Sequence, residues 1–316
     1  MSKIVITGGA GFIGSHIAEA LVQDHEVVIV DNLDDYYPLA LKQRNLDCVM
    51  AKGNATFIRG DITDLELVRS VIDDTVDFVY HEAAQAGVRI SVEDPFKPNN
   101  ANVTGTLNVL SVARDAGVKR VINASSSSVY GKVQYLPFDE KHPTQPVSPY
   151  GVSKLAAEHY CRVFYEVYGL PTVSLRYFTV YGPRMRPDLG ISIFTRKMLA
   201  NEPITIFGDG EQTRDFTYID NIVKANLDLL KTSAADGYAM NVGGGHRITV
   251  NDLIAHIREI TGSVSEVVYS DKQKGDAEHT LANVGLASEL IGYKPETTIG
   301  DGLRTYVMWH RQGVKP

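Results

Sequence analysis

The chain has 316 residues, 44% of them hydrophobic and 22% charged, with a formal net charge of −7. That length suits one large α/β domain, or a large domain with a smaller one attached, and scattered Lys and Arg on a mildly acidic chain argue against a nucleic-acid partner. No apolar run is long enough to span a bilayer, so no membrane partner is expected. A first strand at about Lys3 leaves no room for a secretory leader, and Cys48 and Cys161 lack metal-type spacing, so they read as free thiols of a cytoplasmic protein.

Short apolar runs and helical patterns alternate through the first half. Lys3 to Thr7 reads as a buried strand, Ser15 to Gln23 as a helix and Glu26 to Asp31 as a second strand. Leu33 to Val49 is polar and tyrosine-bearing, an excursion beside the adenosine end of a nucleotide site. Further strands are predicted at Ala55 to Gly60, Phe78 to Tyr80, Arg120 to Ser125 and Thr172 to Arg176. Helices are predicted around Leu65 to Ile72, Val103 to Ala116 and Pro149 to Tyr168. Ser148 before Pro149 suits an N-cap followed by a first-turn proline. Strands alternating with helices predict an α/β fold with a doubly wound parallel (Rossmann) sheet, whose ligands collect at the carboxyl ends of the strands. Beyond Tyr177, Pro and Gly become frequent, and helices recur near Phe194 to Ala200, Asp220 to Leu230, Val250 to Thr261 and Gly300 to Trp309. The expected division is a dinucleotide-binding domain at 1–178, to which the chain returns at about 215–240, and a smaller C-terminal substrate-binding lobe at 179–316.

Gly8-Gly-Ala-Gly11-Phe-Ile-Gly14 follows the first strand and opens the first helix. In that context the glycines permit a tight turn and close approach of a pyrophosphate, which then faces the positive end of the helix. Asp31 closes the second strand about twenty residues later. A carboxylate there accepts from both ribose hydroxyls of NAD and repels the 2′-phosphate of NADP. Asp61, at the end of the third strand, is placed to meet the adenine. Ala83, Ala84 and Gln85 end the fourth strand, where small side chains admit the dinucleotide backbone, although a plain small-residue turn explains the alanines equally well.

Tyr150-Gly-Val-Ser-Lys154 puts a Tyr and a Lys at i and i+4 on one helix face. Beside a nicotinamide, such an ammonium stabilises the phenolate, and the Tyr can act as a base near neutrality. Taken with His81-Glu-Ala-Ala84, Ser125 to Gly131, Arg176-Tyr-Phe-Thr-Val-Tyr-Gly-Pro183, Phe207 to Gly210 and Arg214 to Tyr218, the chain closely resembles the extended short-chain dehydrogenase/reductase family from end to end. Within it, the chain is similar to the nucleotide-sugar 4-epimerases. The resemblance implies NAD that is reduced and reoxidised in each turnover, a UDP-sugar substrate, and a homodimer joined through the helices ending near Ala116 and Tyr168. It implies that Tyr150 removes the sugar 4-OH proton, that Lys154 lowers the Tyr150 pKa and holds the nicotinamide ribose, and that Ser126 bonds the reacting hydroxyl. Phe12, Ile13, Asn32, Ile62, Asn102 and Tyr177 join the cofactor site. Arg89, Ser127 and Thr179 join the substrate site. Arg214 clamps the diphosphate and Asp276 meets the uridine ribose. Relatives often carry arginine three residues before that Asp; here Gln273 stands there, with Lys272 and Lys274 as alternative charges. No metal site is expected.

All these chemistries begin by oxidising sugar C4 to a ketone. Dehydratases typically have Asp-Glu after the residue equivalent to Ser126, and decarboxylases keep the Glu. This chain has Ser127 and Ser128, which disfavours both. Glucose/galactose epimerases usually place Asn at position 179. Thr179 with Arg186, Gln85-Ala-Gly-Val-Arg89-Ile-Ser91 and Asp34-Asp-Tyr-Tyr37 resemble the UDP-glucuronate 4-epimerases instead. The chemistry agrees, because a 4-keto uronate is a β-keto acid prone to losing carbon dioxide, and its carboxylate needs a fixed grip. Arg186 offers a bidentate, charge-assisted bond and Thr179 a hydroxyl. Arg184 and Arg186 as loop charges, a UDP-glucose/UDP-galactose 4-epimerase, and a non-catalytic dinucleotide-binding regulator remain the alternatives.

Overall fold

The computed structural model of the protein describes residues 1–271 and 278–312. Seven strands form its central sheet: β1 (Lys3–Thr7), β2 (Glu26–Asp31), β3 (Ala55–Arg59), β4 (Phe78–His81), β5 (Arg120–Ser126), β6 (Thr172–Tyr177) and β7 (Ala239–Val242). Their order is β3-β2-β1-β4-β5-β6-β7, and every pairing is parallel. Both faces of such a sheet are covered, which is why β1 and β2 read as unbroken Val/Ile runs rather than alternating ones. The strand order reverses between β1 and β4, and the crevice outside their carboxyl ends is the natural ligand site of this fold.

Six helices position the site: α1 (Phe12–Leu21), α2 (Leu39–Met50), α3 (Leu65–Val71), α4 (Gly105–Ala116), α5 (Pro149–Tyr168) and α6 (Ile219–Asp228). The start of α5 follows from local chemistry. The Ser148 hydroxyl accepts from Gly151 N at 3.1 Å, Pro149 occupies the first turn, and Gly169 ends the helix with φ of 70°. Gly151 also matters for packing, because a Cβ there would come within 2.6 Å of Ser128 O. Its absence lets the helix carrying Tyr150 close onto the serine turn after β5.

Two elements differ from the sequence expectation. The excursion after β2 contains α2, whose inward face is Lys42, Asn45, Leu46 and Val49. The spacing is helical, but half of that face is polar, so the hydrophobic period is hidden. Asn45 Nδ2 donates to Ala10 O at 3.0 Å and Lys42 Nζ lies 3.9 Å from Asp31. The inward polar groups thus brace the glycine turn and β2. The second element is β7, four residues between Gly237 and Gly243, which completes the sheet beside β6.

Beyond β6 the chain builds a smaller layer of paired short strands. Ile204–Phe207 pairs with Val267–Ser270, and Thr213–Arg214 with Ile248–Thr249. Helix α6 returns to pack against α1. No helix among the described residues is long and apolar enough to cross a membrane.

Candidate active site

A cleft of about 520 Å³ opens at the carboxyl ends of β1, β2, β4 and β5. One wall is the turn at Gly8, Gly11, Phe12, Ile13 and Gly14. A Cβ on Gly8 would strike Ala83 N at 2.5 Å, and one on Gly14 would strike Gly8 O at 2.4 Å, so this turn closes only with glycine. Helix α1 starts at its rim with Gly11 as N-cap, and among the described residues no side chain caps it. Its main-chain N–H groups and positive dipole end therefore face the cleft, which is what a pyrophosphate requires.

Asp31 is buried at the end of β2, accepting from Ala10 N at 3.1 Å and Leu33 N at 2.9 Å. Burial raises its pKa, and Lys42 draws it part of the way back. Asn32 Nδ2 donates to Asp61 at 2.8 Å, so these two rim residues act as one unit with Ile62 beside them. Burial opposes ionisation of Asp61, but the bonds from Thr63 and Asn32 together hold its carboxyl below the usual range.

The opposite wall carries the reactive pair. Tyr150 hydrogen-bonds Ser126, whose Oγ donates to Ser128 Oγ at 3.1 Å. Burial lifts the Tyr150 pKa, while the Ser126 bond and the Arg186 charge lower it. Lys154 turns its ammonium to Ala124 O at 2.7 Å. Burial brings the Lys154 pKa down to about 8, against the pull of Glu82. Asn102 lies just behind the cleft. It accepts from Gln85 N at 2.7 Å and donates to Gln85 O at 3.1 Å and Ser153 Oγ at 2.8 Å. It therefore fastens the Ala83-Ala84-Gln85 turn to α5.

Ser127, Thr179, Tyr177, Arg186 and Arg214 line the same cleft. Arg184 and Arg186, adjacent in sequence reasoning, part company. Arg184, at φ of 64°, turns to Glu19 and Ser15 on α1. Arg186 faces the cleft, held by Asp188 through Nε at 3.0 Å and Nη2 at 2.9 Å. Arg89 stands outside the lining, 5.4 Å over the Phe207 ring. Arg214 Nη1 donates to Thr213 O at 3.0 Å and Glu278 O at 3.1 Å. Asp276, Gln273, Lys272 and Lys274 lie outside the described residues.

Sequence reasoning passed over four residues here. Lys42 is hidden on a helix face that looks polar. Asp188 sits two residues beyond Arg186, and i to i+2 spacing marks no contact in regular structure. Glu82 lies unremarked in the small-residue turn, yet its carboxyl is buried and accepts from Tyr177 OH at 2.9 Å. Burial pushes the Glu82 pKa up to about 7, with Tyr177 and Lys154 pulling it down. Asp215 is fully buried and accepts from Gly244 N at 2.7 Å, Ala282 N at 2.9 Å and Gly245 N at 3.1 Å, which fixes the strand bearing Arg214. An acidic residue beside a recognised arginine is the only trace it leaves in the sequence.

Residues 4–243 match the NAD dependent epimerase/dehydratase family. A UDP-glucuronate 4-epimerase of Thermodesulfobacterium geofontis is 38% identical over 320 residues, covering 100% of this chain and 98% of its own. The crystal structure of a Bacillus cereus UDP-glucuronic acid 4-epimerase with UDP-glucuronic acid and NAD superposes with a TM-score of 0.92. It is 36% identical, with 98% of this chain and 99% of that one covered. A UDP-glucose 4-epimerase of Thermotoga maritima with UDP-glucose also gives a TM-score of 0.92, at 36% identity over 99% and 100% of the two chains.

Proposed function

The chain belongs to the NAD-dependent epimerase/dehydratase family, and we propose that within it the protein is a UDP-sugar 4-epimerase that interconverts UDP-glucuronate and UDP-galacturonate. The observation that carries this reading is one cleft wall on which Tyr150 bonds Ser126 and feels the charge of Arg186. A base for the C4 hydroxyl and a cation for a C5 carboxylate must be neighbours, because C4 and C5 are adjacent atoms.

NAD, when bound, supplies the oxidation of C4 and the later reduction of the ketone from the opposite face. The glycine turn and the open end of α1 fit its pyrophosphate, and Asp31, with the Asn32–Asp61 pair and Ile62, suits the adenosine. Ser126 holds the C4 hydroxyl against Tyr150, which takes its proton and later returns it. Lys154, anchored on Ala124 O, is placed for a ribose hydroxyl. Arg186 and Thr179 hold the carboxylate, Ser127 lines its approach, and Arg214 clamps the diphosphate; Arg89, outside the lining, is assigned to the substrate only at the cleft's edge, and Asp276 is assigned to the uridine ribose. We assign 1–178, with the return at about 215–240, to the cofactor and 179–316 mainly to the UDP-sugar. Val152, Val163 and Val167 are exposed on one side of α5, which supports a homodimer through α4 and α5. A cytoplasmic location suits its free cysteines.

The second reading, UDP-glucose, draws support from Asp188. With Asp188 in place, a neutral sugar does not leave Arg186 without a counter-charge. A binding-only role is disfavoured by the intact Tyr150, Lys154 and Ser126. Incubation with each UDP-sugar, followed by proton NMR of the anomeric and H4 signals, separates these readings. Conversion of glucuronate to galacturonate is expected. Conversion of glucose alone makes the neutral sugar the substrate, and no conversion of either leaves the binding role.

A further inference from the structure

Arg186 has three distinct surfaces, and two of them are already taken. Its side edge, Nε and Nη2, is spent on the two oxygens of Asp188 at 3.0 and 2.9 Å. One face lies over the Tyr36 ring, 5.2 Å from the centroid. Tyr36 OH in turn donates to Asp188 Oδ2 at 3.1 Å. Among the described residues Nη1 has no hydrogen-bond partner, and Arg186 lines the cleft that holds Tyr150. A guanidinium has five N–H donors in a fixed fork, so a carboxylate gripping the side edge leaves the Nη1/Nη2 end edge free for a second oxyanion.

We propose that Asp188, seconded by Tyr36, is the positioning residue that aims the end edge of Arg186 at the substrate carboxylate and so suppresses loss of carbon dioxide during epimerisation. The proposal rests on the UDP-glucuronate reading above. Once C4 is a ketone, the C5–C6 bond can break, its electron pair passing to the C4 carbonyl as an enolate while carbon dioxide leaves and C5 takes up a proton. That step needs the C5–C6 bond to stand parallel to the carbonyl π orbital. A guanidinium clamped on one edge and one face fixes the carboxylate, and with it the C5–C6 bond, away from that alignment. A guanidinium held by neither lets it turn. Two segments distant in sequence, 34–37 and 184–188, thus converge on one group.

The test uses the full-length protein with UDP-glucuronate labelled with ¹³C at C6. Epimer formation and labelled carbon dioxide are followed together, for wild type and for Asp188→Asn, Asp188→Glu and Tyr36→Phe. Asn cannot accept with both atoms of its fork. The Asp188→Asn variant is expected to lose at least about ten-fold in kcat/KM, while carbon dioxide released per epimer formed rises by a similar factor. Asp188→Glu should recover part of the ratio, and Tyr36→Phe should show the same change in smaller measure. Bound NAD and melting temperature are measured in parallel. A loss of turnover that tracks lost NAD or a lowered melting temperature, with the carbon dioxide ratio unmoved, overturns the positioning role. So does an Asp188→Asn variant that behaves as wild type. Wild-type protein inert towards UDP-glucuronate overturns the substrate reading itself, and the proposal with it.

Discussion

Arg176–Glu158 and Arg186–Asp188 are the same fork-to-fork pair in two settings. Arg176 gives Nε and Nη2 to Glu158 at 2.9 and 2.8 Å, much as Arg186 does to Asp188. Each guanidinium also lies over a tyrosine, Tyr130 at 5.0 Å and Tyr36 at 5.2 Å. The difference is what the tyrosine hydroxyl does. Tyr130 OH accepts from Arg176 Nη1 at 2.9 Å and passes its own proton to Asn241 Oδ1 at 2.6 Å. Tyr36 OH turns to Asp188 instead and leaves Nη1 of Arg186 open. Side-chain exposure follows: 7% and 5% for the first pair, 17% and 40% for the second. A saturated pair locks β6 to α5, whereas one with an open edge keeps N–H donors free for a second oxyanion.

The comparison breaks if the two arginines respond alike to removal. Arg186→Ala should cost UDP-glucuronate turnover on the order of 100-fold or more, with bound NAD retained and melting little changed. Near-wild-type turnover on glucuronate would place the carboxylate elsewhere. Arg176→Ala should do the reverse, stranding the buried Glu158 carboxylate at a cost of about 3–5 kcal/mol in chemical denaturation. A stability equal to wild type would show that pair to be dispensable. Tyr130→Phe sharpens the point, since it strands both Arg176 Nη1 and Asn241 Oδ1 and should cost about 1–3 kcal/mol. Tyr36→Phe should leave denaturation unchanged within about 0.5 kcal/mol.

Glu82 gives a pH signature. Its pKa is raised from 4.5 to about 7 on folding, so between those values the folded state holds more proton than the unfolded one. Stability from this group therefore falls as pH rises from about 4.5 to about 7, and the loss persists above it. Glu82→Gln removes the ionisation. Its melting temperature should match wild type near pH 4.5 and exceed it by a few degrees near pH 8. A gap that does not vary with pH would rule out a buried, titrating carboxyl at this position.

Much of the cofactor half was legible because its causes are local. The glycine turn closes only with glycine, and Ser148 with Pro149 marks the start of α5 at the residue where the structure begins it. Legibility ended where long-range partners decide. Helix α2 was missed because Lys42 and Asn45 face inward to serve Asp31 and Ala10, residues no local pattern connects to them. The bond from Lys154 to Ala124 O was not legible either, because i, i+4 spacing says nothing of a carbonyl thirty residues upstream. The contacts of Arg186 with Asp188 and Tyr36 exist only once two loops are folded together.

Arg184 and His16 carry a consequence for anyone redesigning this scaffold. Arg184 pairs with Glu19, and the His16 ring bonds Pro183 O at 2.9 Å, so the loop bearing Arg186 is riveted to the helix that opens at the glycine turn. Residues 184–188 are therefore not a portable cassette. A graft into a neutral-sugar scaffold has to bring positions 16, 19 and 36 along, or the imported arginine will arrive without its aim.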